Sequence, residues 1–181
     1  MSSPSPSRWL TWANLVTSLR LALIPATYLS ITFSDWALAA VLFTIVVLSD
    51  VIDGRIARKF NEASPLGGLL DHATDATFVA ICTAAIASSG QINTWLAPLI
   101  AITFIQYTLD SKALQGQTLR ASKIGRLNGI AYFVLVGTVI GHHVLGFYFL
   151  DIPIQAFAWI LVVSSLISIV DRLDGLRRLR A

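Results

Sequence analysis

The sequence predicts an all-α integral membrane protein, a bundle of six transmembrane helices with both termini on the cytoplasmic side. Three observations predict it. Apolar runs of about 20 residues, the length needed to cross a hydrocarbon core, recur six times along the chain. Of the 181 residues, 55% are hydrophobic and only 13% charged, above the apolar share of about 45–50% usual in soluble domains. All 13 basic residues fall on one face of a six-span arrangement, and the positive-inside rule makes that face cytoplasmic.

The elements follow in order. Met1 to Ser7 is rich in Ser and Pro and is expected to be a loose N-terminal segment, about residues 1–10, ahead of one membrane domain that fills residues 1–181. The apolar stretch after it is too long for a signal peptide and carries Arg20 inside it, so it reads as the first span. The six spans are expected at about 12–33, 36–59, 66–89, 93–114, 125–149 and 154–176. Polar breaks separate them: Ser34-Asp35, Asn61 to Pro65, Gly90 to Asn93, Gln115 to Lys123, and Leu150 to Pro153. Pro65 suits a first helical turn, where its missing N–H costs nothing. Trp9, Trp12, Trp36, Trp95 and Trp159 fall near the proposed ends and read as an interfacial belt. Cys82, the single cysteine, excludes an internal disulfide and reads as apolar filling of the third helix.

The charges set the orientation. Arg8 and Arg20 lie near the start, and Arg55, Arg58 and Lys59 follow the second span. Lys112, Arg120, Lys123 and Arg126 lie between the fourth and fifth, and Arg172, Arg177, Arg178 and Arg180 close the chain. A slip to five or seven spans would scatter them over both faces. The net charge of +3 therefore reports topology, with some affinity for anionic lipid. No nucleic-acid motif appears.

Four aspartates stand at the cytoplasmic ends of the second and third spans: Asp50, Asp53, Asp71 and Asp75. An aspartate at a membrane helix centre costs roughly 2.5–3.5 kcal/mol, so a cluster of them needs a cationic partner. A hard divalent ion such as Mg²⁺ is the natural one for oxygen ligands. At about 100° per residue, Asp50, Asp53, Gly54 and Ala57 share one helix face, and Gly67, Asp71 and Asp75 share a face of the next. Gly54 and Ala57 keep their face free of bulk, so phosphates can approach the backbone. Arg58, a turn further on, can meet phosphate oxygens.

These residues form the pattern D-x2-D-G-x2-A-R-x8-G-x3-D-x3-D, complete at Asp50, Asp53, Gly54, Ala57, Arg58, Gly67, Asp71 and Asp75. In it the chain resembles the CDP-alcohol phosphotransferase family. The resemblance implies an enzyme of phospholipid synthesis. An alcohol attacks a phosphorus of a CDP-linked donor, CDP-diacylglycerol in bacteria-like members, and CMP leaves. It further implies two metal ions, Mg²⁺ or Mn²⁺, held chiefly by Asp50, Asp53 and Asp71, with Asp75 nearby as general base. Gly54, Ala57, Arg58 and Gly67 would seat the CDP group. A homodimer in the bacterial-type inner membrane, with its site facing the cytoplasm, completes the expectation.

The acceptor is less legible. Arg120, Lys123 and Arg126 cluster before the fifth span and suit an anionic alcohol such as a phosphorylated one, or merely set topology. Asn14, Thr17 and Arg20 form a polar stripe on the first span, similar to an Asn-x2-Thr-x2-Arg run in the family, with helix–helix hydrogen bonding as the alternative. Asn14 and Arg20 are thus candidate acceptor-lining residues. Family members similar to phosphatidylglycerophosphate synthase read D-P-x-A-D-K and G-K-x-K-T-x2-Q where this chain has Asp71-His72-Ala73-Thr74-Asp75-Ala76 and Gly125 to Tyr132. The Asp71-His72 pair is closer to the D-H-G-x-D run of choline/ethanolamine phosphotransferases, which use a CDP-amino alcohol and diacylglycerol. His72 either shapes the acceptor pocket or packs.

Two other classes compete. A small ion or proton transporter also places acids inside a bundle, but leaves Gly54, Ala57 and Arg58 unexplained. A non-catalytic lipid-binding relative would be expected to lose an aspartate. His142 and His143 point about 100° apart on a helix, so they read as structural rather than as a metal pair. Asp171-Arg172-Leu173-Asp174-Gly175 echoes the first half of the motif without the second and reads as a polar helix end.

Overall fold

A computed structural model of the chain describes residues 12–59, 65–110 and 123–180, with side chains described over 17–52, 67–109 and 123–173. Among the described residues six α-helices run in order: α1 (Trp12–Thr32), α2 (Trp36–Lys59), α3 (Pro65–Ser88), α4 (Leu96–Asp110), α5 (Lys123–Leu145) and α6 (Asp151–Arg180). A 3-10 turn, Tyr148–Leu150, leads into α6. There is no strand among the described residues.

Short polar residues set the helix starts. Asp35 Oδ1 accepts the Leu38 N–H at 3.1 Å, and Asn93 Oδ1 accepts that of Leu96 at 3.1 Å. Each side chain satisfies one of the backbone donors that a helix start leaves open. The Asn93 cap also explains why α4 begins at Leu96, three residues after the sequence-based start. Between α1 and α2 the chain reverses at Ser34, whose φ is +61°. Pro153 falls in the first turn of α6, so this helix starts at Asp151 rather than after the proline.

The bundle is apolar inside and out, as a bilayer requires. Its core is apolar, built on Phe78, Ile86, Leu96, Leu135, Val136 and Ala158. Cys82 is buried there. Its surface is apolar too: Val41, Ile45, Ile105, Ile130, Val134, Ile160 and Ile167 are all exposed. So much exposed apolar surface marks contact with lipid. Several hydroxyls inside the helices are masked by bonding back to the preceding turn, as Thr27 does to Leu23, Thr44 to Ala40 and Thr138 to Val134. That removes a donor that lipid could not satisfy.

Among the described residues three stretches are long and apolar enough to cross a bilayer: Gly67–Ser88, Lys123–Leu145 and Tyr148–Leu173. Trp36–Ile52 and Leu96–Leu109 are shorter apolar helices. α1 packs on α2 and α3, and α5 packs on α2, α3 and α6, while α4 bridges α3 and α6. The α2–α5 crossing is close at Gly137, where an added Cβ would stand 3.0 Å from the Phe43 ring. Phe43 in turn meets Phe78 and Phe133. These contacts bring one end of α2 and α3 against one end of α4, α5 and α6, and the site forms there.

Candidate metal and substrate site

Asp50 on α2 and Asp71 and Asp75 on α3 converge. One carboxylate oxygen from each lies within 4.8 Å of the others, a group able to hold a metal ion. The convergence has a local cause. The i, i+4 spacing puts Asp71 and Asp75 on one face of α3, and α1 holds α2 and α3 together by packing on both.

Arg20 of α1 reaches into this gap. Its Nη1 donates to Asp50 Oδ1 at 3.0 Å and to Asp75 Oδ1 at 2.5 Å, and its Nη2 donates to Asp71 Oδ1. Arg20 is fully buried, at 0% exposure, whereas the three carboxylates stay partly open. A guanidinium enclosed by three acids is the expected response to clustered negative charge in a low-dielectric setting. The donor set of carboxylate oxygens fits a hard divalent cation, and the arginine among them shows that the cluster attracts positive charge.

Asp50 and Asp75 also line a cavity of about 470 Å³. Its other polar lining residues are Thr103 and Tyr107 of α4, Arg126, Asn128 and Tyr132 of α5, and Ser168 and Arg172 of α6, among apolar ones such as Val79, Ile100 and Phe133. Arg172 stacks over the Tyr107 ring at 5.0 Å, and His72 lies 6.0 Å from the same ring, nearly parallel to it. The polar wall is cross-linked. The Tyr132 and Ser165 hydroxyls meet at 2.7 Å, and Ser164 donates to Asn128 Oδ1 at 2.6 Å. The cavity thus joins carboxylates with two arginines and several neutral polar groups.

The sequence-predicted residues separate into four groups. Asp50, Asp71, Asp75, His72 and Arg126 stand at the carboxylate cluster or the cavity. Arg20 is on the carboxylates and Lys123 is exposed; neither lines the cavity. Gly67 begins the described part of α3, one turn before Asp71. Asp53, Gly54, Ala57, Arg58, Asn14 and Asp174 belong to helices but their side chains lie outside the described residues, as does Arg120 altogether. Sequence reasoning missed Thr103, Tyr107, Tyr132, Ser168 and Arg172 as cavity residues. Only Arg172 carried a signal, in the echo at Asp171 to Gly175; single polar residues in apolar helices carry none.

Fold and site together define a class, a helical membrane protein with an acid cage opening on an arginine-walled cavity. The chain belongs to the CDP-alcohol phosphatidyltransferase family, whose pattern matches residues 10–170. It is 39% identical over 92 residues to a Mycobacterium tuberculosis (strain H37Rv) protein named "Putative cardiolipin synthase", covering 49% of this chain and 43% of that one. It is 33% identical over 106 residues to the Escherichia coli K12 CDP-diacylglycerol–glycerol-3-phosphate 3-phosphatidyltransferase, covering 56% of this chain and 57% of that one. The chain therefore spans about half the length of the curated relatives it matches.

Proposed function

We propose that the protein transfers a phosphatidyl group from CDP-diacylglycerol to a small, anionic alcohol, releasing CMP. The observation that carries this is the cavity itself. It is lined both by the carboxylates Asp50 and Asp75 and by the guanidinium-bearing Arg126 and Arg172. An acid cage suits a metal-bound diphosphate, and paired guanidinium groups suit a phosphorylated acceptor. The names of the relatives support a CDP-diacylglycerol donor over a CDP-amino alcohol, the alternative raised by Asp71-His72. They offer no support for an ion transporter.

In this proposal Asp50, Asp53, Asp71 and Asp75 hold one or two divalent ions, Mg²⁺ or Mn²⁺. Bound there, the metal withdraws charge from the diphosphate and stabilises departing CMP. Gly54, Ala57, Arg58 and Gly67 seat the CDP group. The acceptor occupies the cavity, its phosphate held by Arg126 and Arg172, with Lys123, Arg120 and Asn14 adding positive charge or polar contacts at its margin. Asp75 takes the proton from the acceptor hydroxyl. The hydroxyl oxygen forms a bond to the phosphatidyl phosphorus, and the bond from that phosphorus to the CMP oxygen breaks. The acyl chains stay in lipid.

The protein acts as one domain over residues 1–181, crosses the bacterial inner membrane six times and keeps both termini and the site on the cytoplasmic side. It works as a homodimer. The test is purified protein with CDP-diacylglycerol, Mg²⁺ and a panel of acceptors, with lipid products read by mass spectrometry. Product with glycerol 3-phosphate or another phosphorylated alcohol is the expected result. CMP release with diacylglycerol and a CDP-amino alcohol alone would reverse the donor assignment, and no CMP release from any CDP-linked donor would refute the enzyme.

A further inference from the structure

We infer that Arg20 is a placeholder cation, which holds the Asp50, Asp71 and Asp75 carboxylates in the metal-free protein and leaves them when a divalent ion binds. The inference rests on the proposed metal site and concerns what the chain does before that site is loaded.

The geometry is that of a competitor, not of a bystander. The two terminal nitrogens of the guanidinium engage the Oδ1 atoms of all three aspartates, on two different helices. Oxygens of these same three carboxylates make up the candidate metal group. A divalent ion of Mg²⁺ type needs its oxygens at roughly 2.0–2.1 Å, which draws neighbouring ligands to roughly 3 Å from one another. One oxygen from each of the three carboxylates lies within 4.8 Å of the others, and the guanidinium holds the Oδ1 of all three. Closing them on an ion requires that the guanidinium withdraw. Coulomb repulsion acts the same way, because a fixed monovalent charge and a divalent ion a few ångströms apart repel strongly where water is scarce.

The device has a physical use. Three carboxylates drawn together at a membrane helix end, with no cation, would repel one another and pull α2 from α3. Arginine stays charged at any accessible pH and presents a fork that can bond several oxygens at once. A lysine ammonium, a compact point charge on a flexible stem, would serve less well. Arg20 therefore keeps the cage assembled and paired, and metal affinity is lowered by the fraction of molecules in which the arginine is still in place.

The experiment is a Mn²⁺ titration of the full chain in detergent, with free Mn²⁺ read by its electron paramagnetic resonance signal. Wild type is compared with Arg20→Gln and Arg20→Lys, and thermal unfolding of each is measured with EDTA and with Mn²⁺. Arg20→Gln should bind Mn²⁺ about tenfold or more tightly than wild type, because the competing state is gone. It should also melt lower than wild type in EDTA and gain more from Mn²⁺. Arg20→Lys, which keeps the charge but not the fork, should fall between; it supplies the answer if Arg20→Gln does not fold. Mn²⁺ affinity equal to or weaker than wild type in the folded variants would overturn the placeholder and make Arg20 a support for the ligands. Absence of Mn²⁺ binding to wild type and both variants would instead remove the metal site, and the placeholder with it.

Discussion

The two ends of the bundle both gather titratable side chains, and they do so differently. At the cavity end, Asp50, Asp71 and Asp75 point like charges at one another and share Arg20. At the other end, about 21 Å away along α5 by helix rise, the polar groups are settled in pairs. His142 Nδ1 meets the Phe147 carbonyl at 2.8 Å and its Nε2 meets Asp151 at 3.1 Å. His143 Nε2 meets Gln91 Oε1 at 2.7 Å, and its ring stacks on Trp36 at 3.9 Å. The second cluster ties α5 to α6, to the α3–α4 connection and to the start of α2. It bears out the structural reading of the two histidines. A cluster of ionisable groups becomes a candidate site when its charges are alike, converge and open on a cavity. One whose members each have a matched partner is a fastener.

The comparison can be broken most severely at the cavity end. Chelation with EDTA should abolish CMP release, and Mg²⁺ or Mn²⁺ should restore it. Full activity in excess EDTA would show that the acid cage works without a metal. Asp75→Asn should lower turnover by about 10²–10⁴, the usual cost of losing a general base, in a protein that still folds and binds CDP-lipid. Asp174→Asn, in the echo of the motif, should change little. The opposite ranking of these two mutants would move the chemistry from α3 to the C-terminal echo of the motif.

Arg126→Gln and Arg172→Gln should each raise KM for a phosphorylated acceptor by about 10-fold or more, since a hydrogen bond to a charged group contributes about 1.5–3 kcal/mol. KM for the CDP-linked donor should move much less. Equal shifts in both would place these arginines on the donor instead. The mildest functional effect belongs to the other end. His142→Ala should cost about 1–3 kcal/mol of stability by stranding its partners, seen as a lower melting temperature. Turnover per folded molecule should stay at the wild-type level. A His142→Ala protein that is stable but inactive would erase the distinction between fastener and site.

The aspartates were legible because their signal is local. Asp71 and Asp75 sit at i, i+4, so any helix through them places both on one face, and the same holds for Asp50 with Asp53. Helix positions were legible for a similar reason. The apolar runs and their polar breaks are contiguous in sequence, and only ends shifted, where Asn93 caps α4 and Pro153 lies inside the first turn of α6. Arg20 was visible as a polar residue in an apolar helix, yet its destination was not. It bonds residues 30, 51 and 55 positions away, and nothing in the first span names those partners.

The sequence by itself determined the helical membrane character, the carboxylate pattern and, through that pattern, the family. Those properties are set by hydrophobicity and spacing within single helices, and survive whatever the helices pack against. The tertiary structure alone decided that Arg20 enters the carboxylate cage and that Thr103, Tyr107, Tyr132, Ser168 and Arg172 wall a cavity beside it. Side chains from five helices meet there because of how α1 packs on α2 and α3 and how α4 bridges α3 and α6. Adjacency between helices depends on the fit of whole surfaces, which no short stretch of sequence carries.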